Sequence, residues 1–229
     1  VHSYKDIPTE EVNGLRVIPV TDREDYRDVL ISKSGNKLMD LPAGAIIGTG
    51  SLRRTVQLKQ LRPDLEYQFI QGNVDSRIHQ METGKYDAII LAAAGLKRMN
   101  MLDSATEIFE DDVMVPAVGQ GILGIELIDK EGYILDLIKK VRVEETRIAA
   151  NAERAYLIAL GGGCNLPIAA HAVVNGEEMT ITGVFANEEG SIFEKDSITG
   201  NIENKRTLAR ELAEKLKAAV DAKKKEPID

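Results

Sequence analysis

Apolar residues change their rhythm partway along this chain. Before residue 160 they come as short runs set between stretches of helical period, and beyond residue 167 they alternate with polar residues. Residues 15–20 read as a strand, and the charged stretch 21–28 as the exit from a first folding unit. Residues 45–48 then predict a short buried strand, Thr49-Gly50-Ser51 a tight turn with a capping residue, and 52–61 an amphipathic helix halted at Arg62-Pro63. The unit repeats as a strand at 65–70, a helix at 73–82 ended by Gly84, and an unalternating strand at 86–92. An apolar strand without alternation, bounded by helices, predicts a parallel or mixed sheet covered on both faces. Residues 113–127, with Pro116, Gly119, Gly121 and Gly124, predict a crossover able to return to the first unit. Helices follow at 133–141 and 144–160, the second stopped by Gly161-Gly162-Gly163. Strands at 168–174, 179–185 and 192–198, joined through Asn175-Gly176 and Glu189-Gly190, predict an antiparallel meander covered by a helix at 205–222.

Composition narrows the class. The 229 residues are 43% hydrophobic and 29% charged, which suits one large or two to three small domains with real cores. The longest apolar run, 88–94, fits a buried strand and is too short for a membrane span. A net charge of −8 repels nucleic acid and anionic membranes, so an anionic ligand has to be caught by local groups. The one cysteine, Cys164, has no internal disulfide partner, and no signal core opens the chain, so a cytoplasmic location is expected. Val1-His2-Ser3 reads as the end of a strand with no initiator methionine before it, and the expectation is of a fragment that begins inside its first domain.

The turn Gly48-Thr49-Gly50-Ser51 sets amide N–H groups and the positive end of a helix dipole at the carboxyl edge of a sheet, where open α/β folds bind ligands. Arg53 and Arg54, in the first turn of that helix, are electrostatically misplaced unless an anion lies between them and the amides. That predicts a carboxylate or phosphate site; the alternative is a solvated helix face. Gln71-Gly72-Asn73 with Arg77 repeats the design after the next strand, and Lys97 and Arg98 follow the third. Three strands delivering basic groups to one edge predict a polyanion site, and the guanidinium fork suits a ligand with several carboxylates. Cys164 reads either as a small buried hydrophobe or, because three glycines bare the backbone before it, as an accessible thiol. Three histidines (His2, His79, His171) and one cysteine give no metal-ligand spacing, and Lys5-Asp6 is by itself an ordinary turn pair.

Six motifs, in order, resemble those of hydroxymethylbilane synthases (porphobilinogen deaminases). They are Val1-His2-Ser3-Tyr4-Lys5-Asp6-Ile7-Pro8, Gly48-Thr49-Gly50-Ser51-Leu52-Arg53-Arg54, Gly72-Asn73-Val74 with Arg77, and Ala94-Gly95-Leu96-Lys97-Arg98. Pro116-Ala117-Val118-Gly119-Gln120-Gly121 follows, and then Glu153-Arg154-Ala155 with Gly162-Gly163-Cys164-Asn165-Leu166-Pro167-Ile168. The resemblance implies an α/β fold of two periplasmic-binding-protein-like domains, the first truncated to 1–21 and 118–140 and the second at 26–115. A small α+β C-terminal domain with a three-stranded antiparallel sheet, 144–229, would complete it. It further implies a transferase of tetrapyrrole biosynthesis that condenses four porphobilinogen molecules head to tail into hydroxymethylbilane, releasing ammonia, on a dipyrromethane cofactor tethered to Cys164. Asp6 would be catalytic, stabilising positive charge on the pyrrole nitrogens and shuttling protons. Lys5, Asp6, Ser51, Arg53, Arg54, Gly72 and Arg77 would hold the cofactor, and Arg53, Arg54, Gln71, Arg77 and Arg98 the substrate carboxylates. A monomer without nucleic-acid or membrane partners is the family expectation. Gln71 departs from the pattern by replacing an arginine, at a cost of about 1.5–3 kcal/mol in whichever step uses that side chain. Gly50 replaces a serine but keeps the amide. The competing readings are a non-catalytic carboxylate-binding module, which has no use for a lone exposed thiol, and an inactive, cofactor-free fragment.

Overall fold

The structure, a computed structural model, describes residues 1–10, 12–162 and 166–224. In chain order its strands are β1 (His2–Ser3), β2 (Leu15–Val20), β3 (Asp28–Ser32), β4 (Ile46–Gly48), β5 (Glu66–Gln68) and β6 (Ala88–Ala92). β7 (Glu107–Ile108), β8 (Leu123–Ile128), β9 (Ile168–Asn175), β10 (Glu178–Ala186) and β11 (Phe193–Asn201) follow. The helices are α1 (Leu52–Leu61), α2 (Val74–Glu82), α3 (Ala93–Arg98), α4 (Tyr133–Val141), α5 (Glu144–Ala159) and α6 (Lys205–Lys223). None of them is long and apolar enough to cross a membrane.

Among the described residues these form three sheets: β5-β4-β6-β3-β7, β1-β8-β2 and β11-β10-β9. The first is mixed, with β4 parallel to β5 and β6 and with β3 antiparallel to β6 and β7. The lack of alternation in β6 has a direct cause. Ile90 packs with Leu30, Ile47 and Leu58 on one face, while Ile89 packs with Val29, Ile70 and Leu96 on the other, so both faces are core. The last sheet is fully antiparallel. Its inner face meets α5 and α6 through Met179, Ile181, Tyr156, Leu212 and Leu216. On its outer face the hydroxyls of Thr180 and Thr199, and of Thr182 and Ser197, pair across strands at 2.8 Å.

Three segments differ from the sequence reading. β3 forms directly after the charged exit, in a stretch to which no element was assigned, because Asp28 at its head disguises the buried run Val29-Leu30-Ile31. Residues 123–128, read as part of the crossover, form β8, the central strand of its sheet. Residues 93–98, to which no element was assigned, form α3.

Two segments, 21–27 and 109–122, connect the mixed sheet to the β1-β8-β2 sheet. They touch at Gly121, whose φ is 83° and where an added Cβ would lie 2.4 Å from the Glu24 carbonyl oxygen. Gly121→Ala is therefore expected to cost about 1–3 kcal/mol, read as a lower urea midpoint; an unchanged midpoint would mean that the two segments separate freely.

Candidate anion-binding cleft

A cleft of about 560 Å³ opens where the three sheets meet. The turn after β1 contributes Lys5 and Asp6, and the turn after β4 contributes Gly50, Ser51, Arg53 and Arg54. Arg77 comes from α2, Ala117, Val118 and Gln120 from the crossing segment, and Gly162 and Leu166 from the chain after α5. Gly162 packs so closely on Thr9 that a Cβ there would lie 2.7 Å from the threonine hydroxyl. The segment after Asp6 and the glycine segment after α5 thus share one wall.

Local structure explains how each group is held. Asp6 ends a short 3-10 turn, Tyr4–Asp6, whose buried Tyr4 donates its N–H to Ile122 O at 2.9 Å. Arg154 donates to the carbonyls of Ile7 and Pro8 and lies over the Tyr4 ring, fixing the turn from the other side. The Asp6 carboxylate itself is exposed in the cleft. Ser51 occupies the N-cap of α1, yet its side chain makes no capping bond; the Thr49 hydroxyl accepts the Ser51 N–H at 3.2 Å. Asn73 does cap α2, accepting the Ser76 N–H at 2.9 Å, and Arg77 Nε donates to Gly72 O at 2.7 Å.

The misplaced arginines of α1 are explained by an anion inside the chain. Arg53 and Arg54 are buried, not a solvated face, and both bind Asp28, at 2.8 Å and 2.7 Å. Burial alone would raise the Asp28 carboxyl, but the two guanidiniums and their hydrogen bonds outweigh it and hold the group well below the usual carboxylate range. Burial and then the charge of Arg54 lower the Arg77 pKa. Lys5 is pushed down to about 8, first by burial and then by Arg54, against the opposing pull of Asp28 and Asp6. Its ammonium donates to Gln120 Oε1 at 3.4 Å.

Not every predicted site residue reaches this cleft. Arg98 lines a second concavity of about 400 Å³ with Thr21, Asp22, Glu24, Lys97 and Asn100. α3 accounts for this: as a helix it carries Lys97 and Arg98 toward residues 21–24, where Lys97 pairs with Glu24 at 2.7 Å. Gln71 is exposed and off the cleft wall, its carbonyl accepting from Gln80. Gly72 is also off the wall and acts on the site only through Arg77. Cys164 lies outside the described residues; in the sequence it stands two residues after Gly162 and two before Leu166, both of which line the wall. Sequence reasoning missed Asp28 and Gln120 as site residues; Gln120 stood in a recognised motif, whereas Asp28 carried no signal.

The protein is thus of mixed α/β class, with a cleft that gathers Lys5, Arg53, Arg54 and Arg77 around the exposed Asp6 carboxylate. Residues 1–136 match the family model for the porphobilinogen deaminase dipyromethane cofactor binding domain, and residues 147–218 the model for the porphobilinogen deaminase C-terminal domain. A porphobilinogen deaminase of Lysinibacillus sphaericus (strain C3-41) is 45% identical over 97% of this chain and 76% of its own length. Those of Geobacter sulfurreducens and Bacillus subtilis (strain 168) are 46% and 47% identical over 95% and 88% of this chain, and 68% and 65% of their own lengths. The chain belongs to the porphobilinogen deaminase (hydroxymethylbilane synthase) family.

Proposed function

We propose that this cleft condenses four porphobilinogen molecules into hydroxymethylbilane on a dipyrromethane held by Cys164. The observation that carries the reading is the shared wall: Asp6, Lys5, Arg53, Arg54 and Arg77 line the same cleft as Gly162 and Leu166, which flank Cys164 by two residues on either side. The residues fit the group. Pyrroles bearing acetate and propionate arms need several cations in a space of this size, and here they surround a single wall turn that bears a carboxylate.

When bound, the dipyrromethane supplies a tethered acceptor on which the chain grows, which makes each coupling effectively intramolecular. The residues of the protein do the rest. Lys5, Arg53, Arg54 and Arg77 neutralise and orient carboxylate arms, and the Gly50 amide in the turn before α1 adds a donor. Asp6 stabilises the positive charge that develops on a pyrrole nitrogen as ammonia leaves, and takes or gives the protons of that elimination at its carboxylate. Residues 1–21 with 118–140 are read as part of a first periplasmic-binding-protein-like domain, 26–115 as a second and 144–229 as the third; in the first, Tyr133, Ile134 and Val141 on α4 are exposed and β1 is an edge strand.

Intact mass tests the reading. Protein made in a cell that synthesises porphobilinogen is expected to exceed its sequence mass by one dipyrromethane, and Cys164→Ser to show no excess. A folded parent protein with an unmodified mass favours the non-catalytic binding module or the cofactor-free state.

A further inference from the structure

Asp28 opens β3 with no exposed surface, at the head of an apolar run. Its Oδ1 accepts from Arg54 Nε at 3.1 Å, Arg54 Nη2 at 2.7 Å and Gln120 Nε2 at 3.0 Å, and its Oδ2 accepts from Arg53 Nη1 at 2.8 Å. Main-chain carbonyls complete the cage: Arg53 donates to Val115 O at 2.7 Å, Arg54 to Ile90 O at 2.9 Å and Gln120 to Tyr26 O at 2.6 Å. Gln120 in turn accepts from Lys5. One carboxylate therefore organises every cation of the cleft wall except Arg77.

We propose that Asp28 is the positioning residue of the cleft: it fixes the guanidiniums of Arg53 and Arg54 and, through Gln120, the Lys5 ammonium, and it sets the charge the cleft presents to an anionic ligand. Two guanidiniums packed side by side and buried repel each other and the ammonium beside them. A carboxylate shared between them cancels one of those charges and gives both forks a fixed direction. Because it lies behind the arginines and Gln120, Asp28 acts on the ligand only through Arg53, Arg54 and Lys5. The inference rests on the cleft being the substrate site, but its test needs no substrate.

The readout is the charge state of Lys5, which faces Asp6 on its own turn, Arg53 and Arg54 on α1, and Asp28 on β3. Trace acetylation of the folded protein across a pH series, resolved by peptide mass spectrometry, reports when the Lys5 amine becomes neutral, with exposed lysines as internal references. In the parent protein the midpoint is expected near 8. Asp28→Asn removes a negative charge that favours protonation, so the midpoint falls and Lys5 labelling at pH 7 rises roughly three- to fivefold. Asp28→Glu keeps the charge and keeps the midpoint. An unchanged midpoint in Asp28→Asn overturns the proposal, and so does a rise toward that of exposed lysines, which would make Asp28 a mere scaffold whose loss lets water in. If Asp28→Asn gives no cooperative melt, the same change is made in an Arg54→Gln background, where one stranded guanidinium is gone: a midpoint below that of Arg54→Gln alone supports the proposal and an equal one overturns it. Protection of Lys5 by porphobilinogen is a separate measurement, and its failure would count against the proposed substrate alone.

Discussion

Arg23→Leu is expected to lower the stability of the chain by about 3–5 kcal/mol, the scale for removing one partner of a buried ion pair, or roughly 6–20 °C in melting temperature for a chain of this size. Glu153 is fully buried on α5 and accepts from Arg23 Nη1 at 2.5 Å and Nη2 at 3.3 Å. It also accepts the N–H groups of Gly119 at 2.7 Å and Ala172 at 2.9 Å. Arg23 adds a bond from Nε to Gln120 O at 2.9 Å and stacks over Tyr26. One carboxylate thus ties together α5, β9, the crossing segment and the exit from β2. Leucine at position 23 leaves this carboxylate buried without its cation and served by two amides only. Replacing both partners, Arg23→Leu with Glu153→Leu, removes the stranded charge and should cost less than the two single changes summed. Chemical denaturation of the four proteins checks the cycle. A single-variant loss below about 1 kcal/mol would mean that the pair behaves as a surface ion pair.

Why some of this was legible in the sequence and some was not follows from range. Periodicity reports local burial, so β6, with Ile89 and Ile90 facing opposite cores, and the β9–β11 meander could be read directly. The electrostatic conflict of Arg53 and Arg54 at a helix start was also legible, but it was read as a bound carboxylate or phosphate, whereas the structure sets Asp28 of the chain itself against both arginines. What the sequence could not supply was that anion's identity, because Asp28 lies 25 and 26 residues away and sits in a strand disguised by its own charge. Arg98 shows the reverse failure. Its motif pointed to the site, but whether residues 93–98 turn as loop or helix decides which concavity the side chain lines, and the short run Ala93-Ala94-Gly95-Leu96 has no period long enough to settle that. The Asp6 turn became readable only through its motif, since its contacts to Ile122 and Arg154 bridge more than a hundred residues.

Asp6→Asn is expected to reduce turnover of porphobilinogen by about 10²- to 10⁴-fold, the range for losing a positioned acid–base group, while the mass increment of the attached cofactor persists. Asparagine keeps the size of the side chain and can still accept a hydrogen bond, so the fold and the resting cleft should be little disturbed. On the proposed mechanism the change removes the negative charge opposite a developing cation, an interaction made chiefly in the transition state, so kcat should fall far more than KM rises. Glu10 is the other acidic residue on the cleft wall and provides the comparison. It lies beyond the anchored turn, four residues past Asp6, and Glu10→Gln should cost less than tenfold. Steady-state assay of both variants, each checked by intact mass, separates the cases. If Asp6→Asn kept more than a tenth of the parent turnover, or if Glu10→Gln lost as much, the cleft would act through its overall field and not through one placed carboxylate. A large loss confined to Asp6, with cofactor still attached, would assign the elimination step to the short turn that follows β1.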